Sequence, residues 1–142
     1  IMLVTRNIYE SSSMGRVKAV GEMINTMEFY GPNNEVAVII ISVDIMQRYS
    51  VTPDDTEGME HYMMMIDSVK AGVKIIELYD GYKSSLRSKG NIPVHTVAAQ
   101  YGGGGHINAS GIPKRHDNMR EFIHEIVQTL LQTIAESEKK WP

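Results

Sequence analysis

The chain has 142 residues, 42% of them apolar, which suits one domain with a core of its own. It contains no cysteine, which excludes disulfide staples and thiolate metal sites. Its formal net charge of −3 argues against sequence-independent coating of nucleic acid, yet leaves room for a local cationic cluster that reads a small anion.

No apolar run approaches the roughly 20 residues needed to span a bilayer, and the N-terminus lacks a signal-peptide pattern. A cytoplasmic protein with no membrane partner is expected. The chain opens at Ile1 directly into a helical pattern, which suggests an excised piece of a longer protein.

Apolar residues recur at intervals of three and four, at Leu3, Val4 and Ile8 and then at Met14, Val17, Val20, Ile24 and Met27. The spacing predicts a long amphipathic helix over 3–29, bent where Ser11, Ser12, Ser13 and Gly15 lower helix propensity. Gly31-Pro32-Asn33-Asn34 is a turn by composition. The branched run from Val36 to Val43 predicts a strand buried on both faces near the centre of a sheet. A short helix follows over 44–49. Thr52-Pro53-Asp54-Asp55 then reads as a helix start, with a capping Thr, Pro in the first turn and an acid three residues after the cap. That helix is expected to reach about Lys70. Its Tyr62-Met63-Met64-Met65-Ile66 stretch reads as adaptable core rather than a cofactor site, and Asp55 and Glu57 as partners of the helix dipole.

Asp80-Gly81 favours a tight hairpin turn between strands over 73–79 and 82–88. Alternation along the second strand places Lys83, Ser85, Arg87 and Lys89 on one face. Lysines commonly protect exposed sheet edges, but Arg87 can also fork two donors onto a phosphate, and Ser85 can add a hydroxyl. Val94, Val97, Ala98 and Tyr101 fall at helical spacing and lead into four glycines, Gly102 to Gly105. One glycine suffices to stop a helix. The others free the backbone for close ligand approach, so Gly103, Gly104 and Gly105 are expected to offer N–H groups to an anion, with His106 as the adjoining donor.

Residues 107–113 predict another strand, and Lys114 and Arg115 read as surface charge. Met119, Phe122, Ile123, Ile126, Val127, Leu130 and Ile134 form the stripe of a final helix that covers the sheet, with a polar end that frays past Glu136. The fold class expected is α/β (α+β), a mixed β-sheet of about four or five strands with helices packed on it, preceded by a connector helix.

The five histidines, His61, His95, His106, His116 and His124, are scattered and do not share metal-ligand spacing with the acids. A Gly-x-Ser-x-Gly elbow is missing. No catalytic residue and no metal site are expected within the chain, and the chain alone is expected to be inactive.

Residues 102–111, GGGGHINASG, resemble the signature of the DHHA1 domain, the C-terminal substrate-binding half of DHH-family phosphoesterases. Ser85-Leu86-Arg87-Ser88-Lys89-Gly90 and Asp55-Thr56-Glu57-Gly58 are similar to elements that recur upstream of that signature. The resemblance covers nearly the whole chain and is nearest to the nanoRNases, bifunctional enzymes that degrade very short oligonucleotides and adenosine 3',5'-bisphosphate. It implies an inter-domain connector over 1–30 and a substrate-binding domain over 31–142. It further implies an N-terminal DHH domain of the same polypeptide that carries the Asp and His ligands of a divalent metal, usually manganese. Short RNA or DNA oligonucleotides or small nucleotides would be the ligands, with Arg87, Ser85, Gly103, Gly104, Gly105 and His106 as the binding residues. A homodimer stays open. Related signatures occur in cyclic-dinucleotide phosphodiesterases, in RecJ-like single-strand exonucleases and in the non-catalytic nucleic-acid-binding module of alanyl-tRNA synthetases. A long-strand reader would be expected to show a broader basic groove or arrayed aromatics.

Overall fold

A computed structural model describes residues 13–139. The helix expected over 3–29 is therefore seen only in part, and its Ser11-Ser12 bend lies outside the described residues. Helix α1 covers Met14–Asn25 and is capped by Ser13, whose hydroxyl accepts from the Arg16 N–H at 3.1 Å. It stops short of the expected end because Glu28–Tyr30 forms a strand, β1.

The order continues with β2 (Val36–Ile41), α2 (Val43–Tyr49), a 3₁₀ turn (Pro53–Thr56) and α3 (Glu60–Met64). Next come β3 (Ala71–Leu78), β4 (Gly81–Ser88), α4 (Val94–Ala99), β5 (Gly104–His106), β6 (Ala109–Arg115) and α5 (Met119–Lys139). The six strands form one mixed sheet in the order β1-β2-β3-β4-β6-β5, where four or five had been expected. β2 and β3 are parallel, and every other pair is antiparallel.

One face of the sheet is fully covered. The α5 stripe buries Phe122, Ile126 and Leu130 against Val73, Ile75 and Leu86, and α4 adds Val94 and Val97. The polar end expected to fray stays helical through Lys139, where Lys70 pairs with Glu138. Arg115 is not loose surface charge. It binds Asp117 at 2.6 Å and lies over the rings of Tyr101 and Phe122.

The opposite face is covered over only half its width. Ala19, Met23, Ile45, Met46 and Met63, from α1, α2 and α3, pack on Ala37, Ile39 and Ile41. Over β4, β6 and β5 no further helix of this layer follows among the described residues, so that half of the face stays open.

The long helix expected over 52–70 does not form. Asp55 does close the start, accepting from the Thr52 N–H at 2.8 Å. Glu57 is then extended and Gly58 takes a φ of +88°, so the chain turns before α3 begins. The break sets α3 flat on the sheet beside β4.

Candidate functional site: a glycine-floored trough

Strand pairing arranges the open half in rows. Arg87, Ala109 and His106 lie side by side across β4, β6 and β5, and Ser85, Gly111 and Gly104 form the next row. With strands about 4.8 Å apart, the Cα atoms of Arg87 and His106 are roughly 10 Å apart over a floor of one methyl and two bare glycines. Lys83 lies four residues along β4 from Arg87, about 13 Å away. The alternation read from the sequence therefore holds for Lys83, Ser85 and Arg87. Lys89 turns instead to the Ile66 carbonyl, to which its Nζ donates at 2.7 Å.

The floor opens into a cavity of about 500 Å³ lined by Lys83, Ser85, Gly102, Gly103, Gly104 and Gly111. Arg87 is not in it. It lines an adjoining recess of about 340 Å³ with Gly58, Glu60, His61 and Met64. Beyond Lys83, a mainly apolar cavity of about 510 Å³ lies between α2 and the β3–β4 turn, with Met46, Val51, Pro53 and Leu78 inside and Tyr79 and Lys114 among its lining. Tyr79 is 89% exposed, and its hydroxyl accepts from Gln47 Nε2 at 3.0 Å.

The glycine run is not an open loop. Gly102 ends α4 with a φ of +78°, and Gly104 to His106 form the edge strand β5. The Gly103 N–H is already given to the Ala98 carbonyl at 2.9 Å, so it is not on offer to a ligand. A Cβ on Gly103 would meet the Gly111 carbonyl oxygen at 2.1 Å, and one on Gly105 would meet Ser110 Cα at 2.7 Å. Gly104 has no heavy atom within 4 Å of such a Cβ. Packing thus explains Gly103 and Gly105; for Gly104, bareness matters only to whatever approaches the floor.

The sequence profile of the DHHA1 domain matches residues 33–133. The chain belongs to the DHHA1 domain family. It is 32% identical over 100 residues to the probable bifunctional oligoribonuclease and PAP phosphatase NrnA of Streptococcus mutans, covering 70% of this chain and 32% of that protein. An exopolyphosphatase-related protein from Bacteroides fragilis superposes with a TM-score of 0.80 at 27% identity, over 91% of this chain and 37% of that one. The pGpG-specific phosphodiesterase PggH from Vibrio cholerae shares the fold, with a TM-score of 0.53 at 9% identity over 85% and 39% of the two chains. This DHHA1 domain spans about a third of the length of these relatives.

Sequence reasoning gave the phosphate role to Arg87. In this DHHA1 domain Arg87 is already engaged, its Nη2 donating to Glu60 at 3.2 Å. Lys83 and His106 have no hydrogen-bond or ion-pair partner among the described residues, and both are exposed. Lys83 is thus the unpaired cation at the glycine floor. Two buried ionic residues were also missed: Glu60 and Lys74, each 5% exposed, form an ion pair. A lysine inside the apolar strand Val73-Lys74-Ile75-Ile76 was the available signal, because a buried ammonium requires an acidic partner. Among the described residues no three His, Asp or Glu side chains converge to hold a metal ion. No helix among them is long and apolar enough to cross a membrane.

Proposed function

We propose that this DHHA1 domain is the substrate-holding half of a metal-dependent phosphoesterase that hydrolyses short oligonucleotides or adenosine 3',5'-bisphosphate. Metal, with manganese the expected ion, and attacking water belong in this reading to a DHH domain of the same polypeptide. The observation that carries it is the open sheet half, where a floor of one methyl and two bare glycines is rimmed by Lys83, Arg87 and His106. Lys83 and Arg87 meet separate anionic groups. His106 donates to a phosphate or ribose oxygen, Ser85 adds a hydroxyl, and bare Gly104 lets the ligand settle on the backbone. The apolar cavity beside Tyr79 receives a base. Holding the ligand in this way contributes several kcal/mol through orientation alone. Three cationic or imidazole groups and a short floor fit a small ligand better than a long strand, which agrees with the acidic overall balance.

Calorimetric titration tests this, with adenosine 3',5'-bisphosphate, a diribonucleotide, a cyclic dinucleotide and a longer single strand as ligands. Saturable binding of the first two is expected, weakened at least about tenfold by Arg87→Ala and by His106→Ala. Binding of the long strand alone, indifferent to His106→Ala, would replace this reading with a nucleic-acid-binding module.

A further inference from the structure

The most deeply buried ionic cluster of the domain lies behind the trough. One oxygen of Glu60 pairs with the Lys74 ammonium, which also donates to the Thr56 carbonyl at 3.1 Å. The other oxygen accepts from Arg87 Nη2 at 3.2 Å, while Arg87 Nη1 donates to the Leu86 carbonyl at 3.0 Å. The placement of α3 makes this possible. Met63, fully buried, sits over Gly72, where a Cβ would lie 2.6 Å from its Sδ. Gly72 is the cross-strand partner of Arg87. Glu60 precedes Met63 by nearly one helical turn and so arrives beside the guanidinium.

A buried Glu–Lys pair by itself is weak evidence of stabilisation, since apolar residues of similar volume often serve as well. The third member changes the arithmetic. Two cations share one carboxylate, leaving one net positive charge, and only Arg87, with its side chain 34% exposed, reaches the open face.

We propose that Glu60 is a positioning residue for Arg87. It holds the guanidinium against α3 so that the N–H groups left over face the recess and the trough, and Lys74 holds Glu60 in turn. The rotamer freedom that a long arginine would otherwise lose on meeting an anion is surrendered on folding instead. This rests on reading the trough as an anion site, and it deepens that reading by naming the acid that prepares it.

The sign of one substitution separates this role from mere charge compensation. If Glu60 only offset charge near the trough, Glu60→Gln would remove a negative charge and tighten anion binding. If Glu60 positions Arg87, the same substitution weakens binding although the site becomes more positive. The experiment titrates the full chain with adenosine 3',5'-bisphosphate and follows the Arg87 guanidinium by NMR without ligand, in wild type, Glu60→Gln, Arg87→Ala and the double variant. Glu60→Gln should weaken binding about tenfold, add nothing further to Arg87→Ala, and turn slow guanidinium rotation into fast rotation. Should Lys74, left unpaired, prevent Glu60→Gln from folding, Glu60→Gln with Lys74→Met removes both buried charges and carries the same expectations.

Unchanged or tighter binding in Glu60→Gln, or a loss that adds to that of Arg87→Ala, overturns the proposal. A guanidinium that rotates as freely in wild type as in Glu60→Gln overturns it too, even where Arg87→Ala shows that the anion site is real. A wild-type chain that binds no bisphosphate while its guanidinium is held still would sink the anion-site reading and reduce Glu60 to a structural partner.

Discussion

Alanine at two neighbouring glycines should separate what the fold requires from what the trough requires. A Cβ on Gly103 would lie 2.1 Å from the Gly111 carbonyl oxygen and 3.0 Å from Ile112 Cα, backbone atoms that cannot swing aside. Restoring contact distance means parting the chain from β6 by roughly an ångström or more. That strain costs about 1–3 kcal/mol. It also disturbs the Gly103 N–H bond to Ala98, worth about 1 kcal/mol more. At about 4 °C per kcal/mol for a chain of this size, Gly103→Ala should melt about 8–16 °C below wild type. Gly104 has open space at the same distance and no positive φ, so Gly104→Ala should gain about 0.4–1 kcal/mol by restricting the unfolded chain. Its methyl would nonetheless stand on the floor in the row of Ser85 and Gly111, and could displace a charge-assisted contact worth about 1.5–3 kcal/mol. Binding of adenosine 3',5'-bisphosphate should then fall about tenfold to hundredfold. Melting followed by circular dichroism, together with calorimetric titration, reads both effects. Equal melting of the two variants, or full-strength binding by Gly104→Ala, would refute this division of labour.

Lys83→Met should weaken the same ligand about fivefold to tenfold without moving Tm, because the side chain is exposed and unpaired; titration and melting check it together. Adenosine monophosphate should bind about tenfold tighter than ribose 5-phosphate, and Tyr79→Ala should erase most of that difference if the apolar cavity takes a base. Burial, reinforced by the hydrogen bond to Asp117, pushes the Tyr82 hydroxyl up to about 12. The unfolded side chain ionises near pH 10, so this contribution is whole below pH 10 and is lost as pH rises through about 12. Alkaline titration followed by tyrosinate absorbance should show Tyr82 lagging, alongside Tyr30 and Tyr101, whose hydroxyls burial also raises, and Tyr82→Phe should remove a Tyr82 contribution on the order of 2 kcal/mol that fades across that window. The Arg115 guanidinium, then the Tyr82 hydroxyl, hold the Asp117 carboxyl down at about 2. That contribution is present above the ordinary value of 3.8 and is lost as pH falls through about 2. Asp117 is half exposed, so Asp117→Asn should cost no more than about 1 kcal/mol at neutral pH, and its melting curve should converge with wild type in strong acid.

The β3–β4 hairpin, the α5 stripe and the shared face of Lys83, Ser85 and Arg87 were all legible in the sequence, although the turn closes one residue early, at Tyr79-Asp80, and Gly81 already pairs with Leu78 as the first residue of β4. Each depends on local geometry: a turn that matches strand twist, a period of 3.6, a period of two. The break at Glu57 and Gly58 was not. A good cap and a methionine-rich run promised a helix to Lys70, but Glu57 is extended and Gly58 left-handed, which lays Met63 over Gly72. β1 was hidden for a similar reason. Its three residues, Glu28–Tyr30, carry little pattern of their own and become a strand by pairing with β2.

At the candidate site the same boundary falls between composition and pairing. The residue types came from the sequence alone: a cation-bearing strand, a glycine run, a histidine after it. Their arrangement did not, because β5 becomes a strand only through β6, and β6 is the partner that brings Gly104 and His106 into rows with Ser85 and Arg87. Charge was decided later still. Glu60 and Arg87 stand 27 residues apart, and only the seating of α3 on the sheet turns the expected free arginine into a held one while leaving Lys83 unpaired. A sequence carries its short-range preferences in each few residues, whereas which polar groups find partners depends on contacts between distant segments that exist only once the sheet has closed.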